Sequence, residues 1–315
     1  MDFSHTSVLP DESIEALKIK PDGIYVDGTL GGGGHAHLIA KALTTGKLIG
    51  IDRDIIALNA AKERLHEFGD KLTFIHGNYS DIADILDSLG IENVDGMFFD
   101  LGVSSPQLDD ARRGFSYMAD APLDMRMDRS NPRTAFDVVN TYDEARLKKI
   151  LYEYGEERYS PRIAAAIRKS RDKKPIETTR ELVELIISAM PAAALKEKQH
   201  PAKRTFQAIR IEVNDELTGL KALLESAPDR LKPGARIAVI SFHSLEDRLV
   251  KLSFRSRQSG CTCPRDLPVC VCGFIQTLKV ITPKPITASN EEIKRNPRAR
   301  SARLRVAERC VPQYS

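Results

Sequence analysis

At 315 residues, with an ordinary 42% hydrophobic share, the chain is long enough for one large domain carrying an insertion. A formal net charge of +3 is too small to diagnose a nucleic-acid partner, so any basic surface has to be sought locally. Met1 to Glu12 carries Asp2, Asp11 and Glu12 without an apolar run, and no uncharged stretch approaches membrane-spanning length, so no membrane partner is expected and the cytoplasm is the expected compartment.

From Ile24 to Phe99 short β-branched runs alternate with helical patterns. Strands are predicted at Ile24 to Val26, Lys47 to Ile51, Leu72 to Ile75 and Val94 to Phe99, with helices at Ala36 to Ala42, Asp54 to Phe68 and around Asp81 to Leu89. That order predicts parallel strands joined by crossover helices, most of a doubly wound α/β sheet. Gly102 to Arg133, rich in Pro, Asp, Arg and Met, is too long for an ordinary connection and reads as a functional loop. Leu147, Ile150, Leu151 and Tyr154 then keep helical spacing, Ser160 before Pro161 starts a helix, and Thr178 with Glu181 forms a capping box ahead of Leu182, Leu185 and Ile186. The α/β pattern resumes with a helix from Phe206 to Ala227, a turn at Lys232 to Gly234, a strand at Arg236 to Ser241 and a helix opening near Ser244. The expected division is a discontinuous core, residues 1–105 and 206–315, around an all-helical insertion at 106–205. After Lys279 the chain is irregular and rich in Pro and Arg, and part of it is expected to order only on RNA.

The first strand runs through Val26, Asp27 and Gly28 into Gly31-Gly32-Gly33-Gly34-His35, where missing side chains let the backbone approach a ligand at a helix N-terminus. The spacing Gly31, Gly33, Ala36 also fits a relaxed dinucleotide fingerprint, so the turn alone does not separate a nicotinamide cofactor from S-adenosylmethionine. Charge separates them better. Asp27 beside the turn would repel a pyrophosphate, whereas the ammonium and sulfonium of S-adenosylmethionine are cationic. Asp52, about 20 residues after the turn, suits the ribose hydroxyls of either cofactor. Tyr79 follows the third strand and can pack on adenine, and Asp100 ends the fourth, where the methyl group would be presented. The plainer alternative is that each Asp caps the following helix.

Four of the five cysteines fall at Cys261, Cys263, Cys270 and Cys272, unlike the dispersed framework of a small secreted domain. Two C-x-C pairs across a short loop suit either a structural tetrahedral zinc clip or a reduced, metal-free surface loop.

The segments Asp100-Leu101-Gly102-Val103-Ser104-Ser105-Pro106-Gln107-Leu108-Asp109, Arg113-Gly114-Phe115-Ser116 and Pro122-Leu123-Asp124-Met125-Arg126-Met127-Asp128 resemble the bacterial 16S ribosomal RNA cytosine-N4 methyltransferase family. The resemblance continues through Tyr154-Gly155-Glu156-Glu157, His200-Pro201-Ala202, Thr205-Phe206-Gln207-Ala208, Ser241-Phe242-His243-Ser244-Leu245-Glu246-Asp247-Arg248 and Asn296-Pro297-Arg298-Ala299-Arg300-Ser301, and so covers nearly the whole chain. It implies a Rossmann-like class I methyltransferase core interrupted by a helical substrate-recognition insertion. The implied reaction is methylation of the N4 amine of one decoding-centre cytidine, position 1402 in conventional ribosomal numbering, within the small ribosomal subunit or an assembly intermediate. It also implies that Gly33, Gly34, His35, Asp52, Tyr79, Asp100 and Gln107 contact S-adenosylmethionine. Two features depart from the family pattern: Tyr79 stands where many members have Phe, and some members lack the paired cysteines.

A cytosine N4 lone pair is delocalised into the ring, so the enzyme must hold an N–H and aim the lone pair at the methyl carbon in a largely dry pocket. Asp100, nearby backbone carbonyls, and Ser241 or His243 at a later strand end are the candidate acceptors, although Ser or His there is as often a helix cap. Lys294, Arg295, Arg298, Arg300, Arg303, Arg305 and Arg309 in the tail, with Lys196, Lys198, His200, Lys203 and Arg204 near the insertion's return, are candidate RNA contacts or simply solvated faces. An NAD-dependent oxidoreductase would leave Asp100 to Asp128 without a role. A non-catalytic ribosome-binding factor would not need Asp27, Asp52 and Asp100 together. Oligomeric state is not legible in the sequence.

Overall fold

Parallel strands buried on both faces need long apolar runs and crossover helices, and both are present. The computed structural model describes residues 7–264 and 271–311, and the chain divides into two compact units: 1–102 with 217–315, and 103–216. The first unit opens with α1 (Pro10–Leu17), β1 (Ile24–Asp27), α2 (Gly34–Ala42), β2 (Lys47–Asp52), α3 (Ile55–Arg64), β3 (Leu72–His76), α4 (Ile82–Ser88) and β4 (Val94–Asp100). The second holds α5 (Ser105–Asp109), α6 (Ala135–Thr141), α7 (Glu144–Gly155), α8 (Ser160–Arg171), α9 (Thr179–Ala189) and α10 (Lys203–Asn214). The chain then returns through α11 (Glu216–Ser226) to β5 (Leu231–Ser241), α12 (Ser244–Ser259), β6 (Leu278–Val280), α13 (Asn290–Arg295) and β7 (Arg303–Arg309).

The strands form one sheet in the order β3-β2-β1-β4-β5-β7-β6. β1 to β5 pair in parallel, β7 runs antiparallel to β5, and β6 runs antiparallel to β7. This is a Rossmann-like α/β sheet whose order reverses between β1 and β4, which puts the topological switch point at their C-terminal ends. Pleating sends neighbouring residues to opposite faces. Tyr25, Leu48, Phe98, Ala238 and Ile240 join one apolar cluster with Ile39 and Leu58, while Val26, Ile49, Phe99, Ile237 and Val239 join the other with Ile82, Leu220 and Phe254.

The helical unit has its own core, including Phe115, Leu123, Leu147, Leu151, Ile163, Leu182, Ile186 and Phe206. The predicted box at α9 is present: Thr178 Oγ1 accepts from Glu181 N–H at 3.3 Å, and Glu181 Oε2 accepts from Thr178 N–H at 3.2 Å. The long segment before α6 is held by polar contacts within the unit. Asn214 Oδ1 accepts from Met127 N–H and its Nδ2 donates to Met125 O, both at 2.7 Å, while the Arg113 guanidinium donates to the carbonyls of Arg126 and Met127.

Three expectations are corrected. The helix expected to reach Phe68 ends at Arg64, and a 3-10 segment, His66–Lys71, broken by Gly69 at φ 54°, carries the chain to β3. The single helix expected from Phe206 to Ala227 is two, because Asp215 adopts φ 49° and donates its N–H to Ile211 O, closing α10. The stretch after Lys279, part of which is expected to order only on RNA, contributes its described residues to the end of β6, to α13 and to β7. Leu304 and Val306 of β7 enter the sheet's core, and Arg305 is buried against Asp247, with Nε 2.6 Å from Oδ1. Arg303 also donates to Asp247, and Arg309 to Asp229, so three of the tail arginines have partners within the first unit.

Candidate active site

β2, β1 and β4 are neighbours and end in Asp52, Asp27 and Asp100, so the parallel register brings three carboxylates to one sheet edge at the switch point. Between β1 and α2 the chain passes Gly31 at φ 50° and Gly33 at φ 75°, a region that glycine enters without a Cβ clash. Asp52 ties the turn down: Oδ2 accepts from Gly31 N–H at 2.7 Å and Oδ1 from Asp54 N–H at 2.8 Å. A Cβ at Gly32 would meet no described atom within 4 Å, and one at Gly31 would meet only Thr29 O at 3.8 Å, so this backbone is open to a ligand.

Burial raises the Asp27 carboxyl to about 7, opposed by the Thr29 N–H it accepts and assisted by the nearby Asp52 charge. Burial also raises Asp52 to about 6, against the Asp54 and Gly31 N–H groups that favour its ionised form. Asp100 is pushed well above the usual carboxylate range by burial, then by Asp27 and Glu246. Its Oδ1 is buried and has no hydrogen-bond partner among the described residues. Its Oδ2 lies 3.7 Å from Nδ1 of His35. His35 is buried at the start of α2, with its ring 4.5 Å from Phe98, and Nε2 donates to Val8 O at 2.8 Å, which turns Nδ1 toward Asp100. Tyr79 lies edge-on to Phe99 at 6.2 Å, with the Arg53 guanidinium 5.5 Å from its ring centre. Gly33 caps α2 and Gly34 is its first residue.

The other expected residues lie as follows. Ser241 is buried at the end of β5, and its hydroxyl donates to Arg303 O at 3.4 Å. His243 caps α12: Nδ1 accepts from Glu246 N–H at 3.4 Å, and Nε2 is 3.3 Å from Glu246 Oε1. The helix-capping alternative therefore describes His243, while among the strand-end carboxylates α3 is capped by Asp54 rather than Asp52. Gln107 lies in the helical unit, where Oε1 accepts from Ser104 N–H at 3.0 Å and closes the start of α5. Cys261, Cys263 and Cys272 bring their sulfurs within 4.8 Å of one another, and Cys270 lies outside the described residues. Of the basic residues near the insertion's return, His200 stacks on Tyr117 at 4.6 Å and, with Arg204, lines a surface pocket containing Glu157 and Glu197. In the tail, Lys294, Arg295, Arg298 and Arg300 are exposed.

Two participants were not anticipated. Thr29 Oγ1 accepts from Asp100 N–H at 2.6 Å and so fixes the end of β4 beside β1. Glu246, read from the sequence only as part of a helix start, is buried, accepts from Phe242 N–H at 2.9 Å and raises Asp100. Its acidity within a helix-opening motif was a signal, but its proximity to Asp100 depends on β4 and β5 pairing across more than a hundred residues.

This donor set fits S-adenosylmethionine. An open glycine backbone and three carboxylates, one with an unpartnered buried oxygen, suit a cationic ligand with ribose hydroxyls far better than a pyrophosphate. Comparison with known proteins points the same way. The MraW methylase family model matches residues 2–310. Proteins named ribosomal RNA small subunit methyltransferase H from Carboxydothermus hydrogenoformans and a Geobacter species are 57% and 56% identical over 309 residues, covering 98% of this chain and 99% of each relative. Two solved structures are loosely similar. One is an rRNA methylase from Streptococcus thermophilus, with TM-score 0.40 and 12% identity over 96% of this chain and 93% of that one. The other is a SAM-dependent O-methyltransferase from Thermotoga maritima, with TM-score 0.43 and 11% identity over 100% of this chain and 71% of that one. The sheet order itself defines the fold, and with a family model spanning both units and relatives matched end to end, the chain is a methyltransferase that belongs to the MraW methylase family.

Proposed function

We propose that the chain transfers a methyl group from S-adenosylmethionine to the exocyclic N4 amine of one decoding-centre cytidine of 16S ribosomal RNA, in the small subunit or an assembly intermediate. The observation that carries the reading is the buried, unpartnered Oδ1 of Asp100 at the end of β4, next to the carboxylates that end β1 and β2. The name printed for the relatives supports small-subunit ribosomal RNA as the substrate class.

S-adenosylmethionine, when bound, supplies an electrophilic methyl carbon on a sulfonium. The chain's own residues do the rest. Asp52 keeps accepting capacity beyond Gly31 and Asp54 N–H and takes the ribose hydroxyls. The open Gly31 and Gly32 backbone receives the aminoacyl end, with Gly33, Gly34 and His35 leading into α2, and Tyr79 packs on the adenine. Asp27 and Asp100 ionise against the ligand's positive charge. Asp100 Oδ1 would accept an N4–H, turning the nitrogen lone pair toward the methyl carbon, and would take that proton as the N–C bond forms and the carbon–sulfur bond breaks to leave a neutral thioether. A carboxyl raised from its ordinary range is the better proton acceptor for this step. Ser241 and His243 hold β5 and α12 behind it, and Lys196, Lys198, Lys203 and Arg204 of the helical unit meet RNA phosphates.

Labelled methyl transfer to small subunits that lack the modification, followed by nucleoside mass spectrometry and position mapping, tests this. The expected product is N4-methylcytidine at one position. A product on ring carbon or on another nucleoside would contradict the chemistry, and cofactor binding with no transfer at any assembly stage would favour a non-catalytic ribosome factor.

A further inference from the structure

The described residues of the connection from α12 to β6 are poorly supported by packing. None of its described residues, 260–264 and 271–277, is buried. Yet three thiols converge there. The sulfurs of Cys261, Cys263 and Cys272 all lie within 4.8 Å of one another, and Cys261 Sγ is 3.6 Å from Cys272 Sγ. Cysteine is ordinarily among the most buried residues, so grouping three of them at an exposed turn calls for a bond that uses their sulfurs. A disulfide would use two and leave the third. A thiophilic cation uses all three. Zn–S bonds of about 2.3 Å set thiolates about 3.8 Å apart on the edges of a tetrahedron, close to the Cys261–Cys272 separation. The backbone N–H of Val271 donates to Cys263 Sγ at 3.3 Å, the kind of contact that supports a thiolate's negative charge at a metal.

We infer that Cys261, Cys263 and Cys272 supply three of the four ligands of a tetrahedral zinc site that clips the end of α12 to the approach to β6. The site uses none of the residues of the carboxylate cluster. Its metal-binding free energy stands in for the apolar packing that the connection's described residues lack.

The test is the metal content of the purified full-length protein, together with Co2+ titration of the chelator-treated protein. About one zinc per chain and a tetrahedral cobalt–thiolate spectrum are expected. Cys261→Ser, Cys263→Ser and Cys272→Ser should each lose zinc, and Cys310→Ser, outside the cluster, should keep it. Circular dichroism and S-adenosylmethionine binding separate loss of the site from loss of the fold, and the wild-type Co2+ spectrum answers the question even if a variant misfolds. A wild-type chain that takes up neither metal, zinc retained in Cys272→Ser, or a Cys261–Cys272 disulfide in the wild-type peptide map would overturn the proposal.

Discussion

Asp27 and Asp52 keep their protons to about pH 7 and about pH 6 because burial disfavours charge, and Asp100 is shifted in the same direction. A cationic ligand binds the ionised carboxylates, so binding must release the protons they carry. As pH falls through these values the groups protonate, and the ligand then has to displace protons to bind. Affinity for S-adenosylmethionine is therefore expected to weaken on acidification, by up to about tenfold per pH unit for each coupled proton. Calorimetry between about pH 8 and pH 6, in buffers of different ionisation enthalpy, reads both the affinity and the proton release. A flat affinity with no proton release would mean that the ligand does not face these carboxylates. The three residues were legible individually as acidic strand ends. Their mutual repulsion and the orphaned Asp100 oxygen were not, since both depend on how far each side chain is buried.

β7 shows how an element can hide in a charged sequence. Arg303, Arg305 and Arg309 look like an RNA-binding tail, but Leu304 and Val306 alternate with them and belong to the sheet's core. Arg305 is buried and shares Asp247 with Arg303. Removing the carboxylate strands a buried guanidinium, so Asp247→Asn is expected to cost about 3 kcal/mol, whereas Arg300→Ala on the exposed segment before β7 should leave stability unchanged. Chemical denaturation of both variants checks the pair, and equal losses would contradict the division of the tail into paired and exposed arginines. The break at Asp215 was hidden for a related reason. Apolar spacing carries through α10 into α11, and the left-handed residue between them has no strong signature in an Asp that also suits a helix surface.

At the scale of the molecule, the alternation from Ile24 to Phe99 and again from Arg236 onward was enough to anticipate a parallel sheet with helices, because both faces of each strand are apolar. The antiparallel β7 was missed because its return depends on contacts distant in sequence. The two compact units have separate cores, so damage to one should leave the other's function measurable. Leu151 is fully buried in the helical unit, and Leu151→Ala is expected to cost about 2–5 kcal/mol there. S-adenosylmethionine binding, which we assign to the sheet's carboxylates, should persist, and thermal unfolding with and without the ligand follows both. Loss of binding in step with the helical transition would show that the units do not behave independently.

The role of Asp100 is read by single-turnover methyl transfer to unmodified small subunits by the wild type and by Asp100→Asn, an exchange that keeps the side chain's size and removes its carboxylate. A loss of about a hundredfold or more in the transfer rate at saturating cofactor is expected, within the range for a positioned proton acceptor. A transfer rate within a few-fold of the wild type would show that Asp100 does not hold the amine and would contradict the central claim.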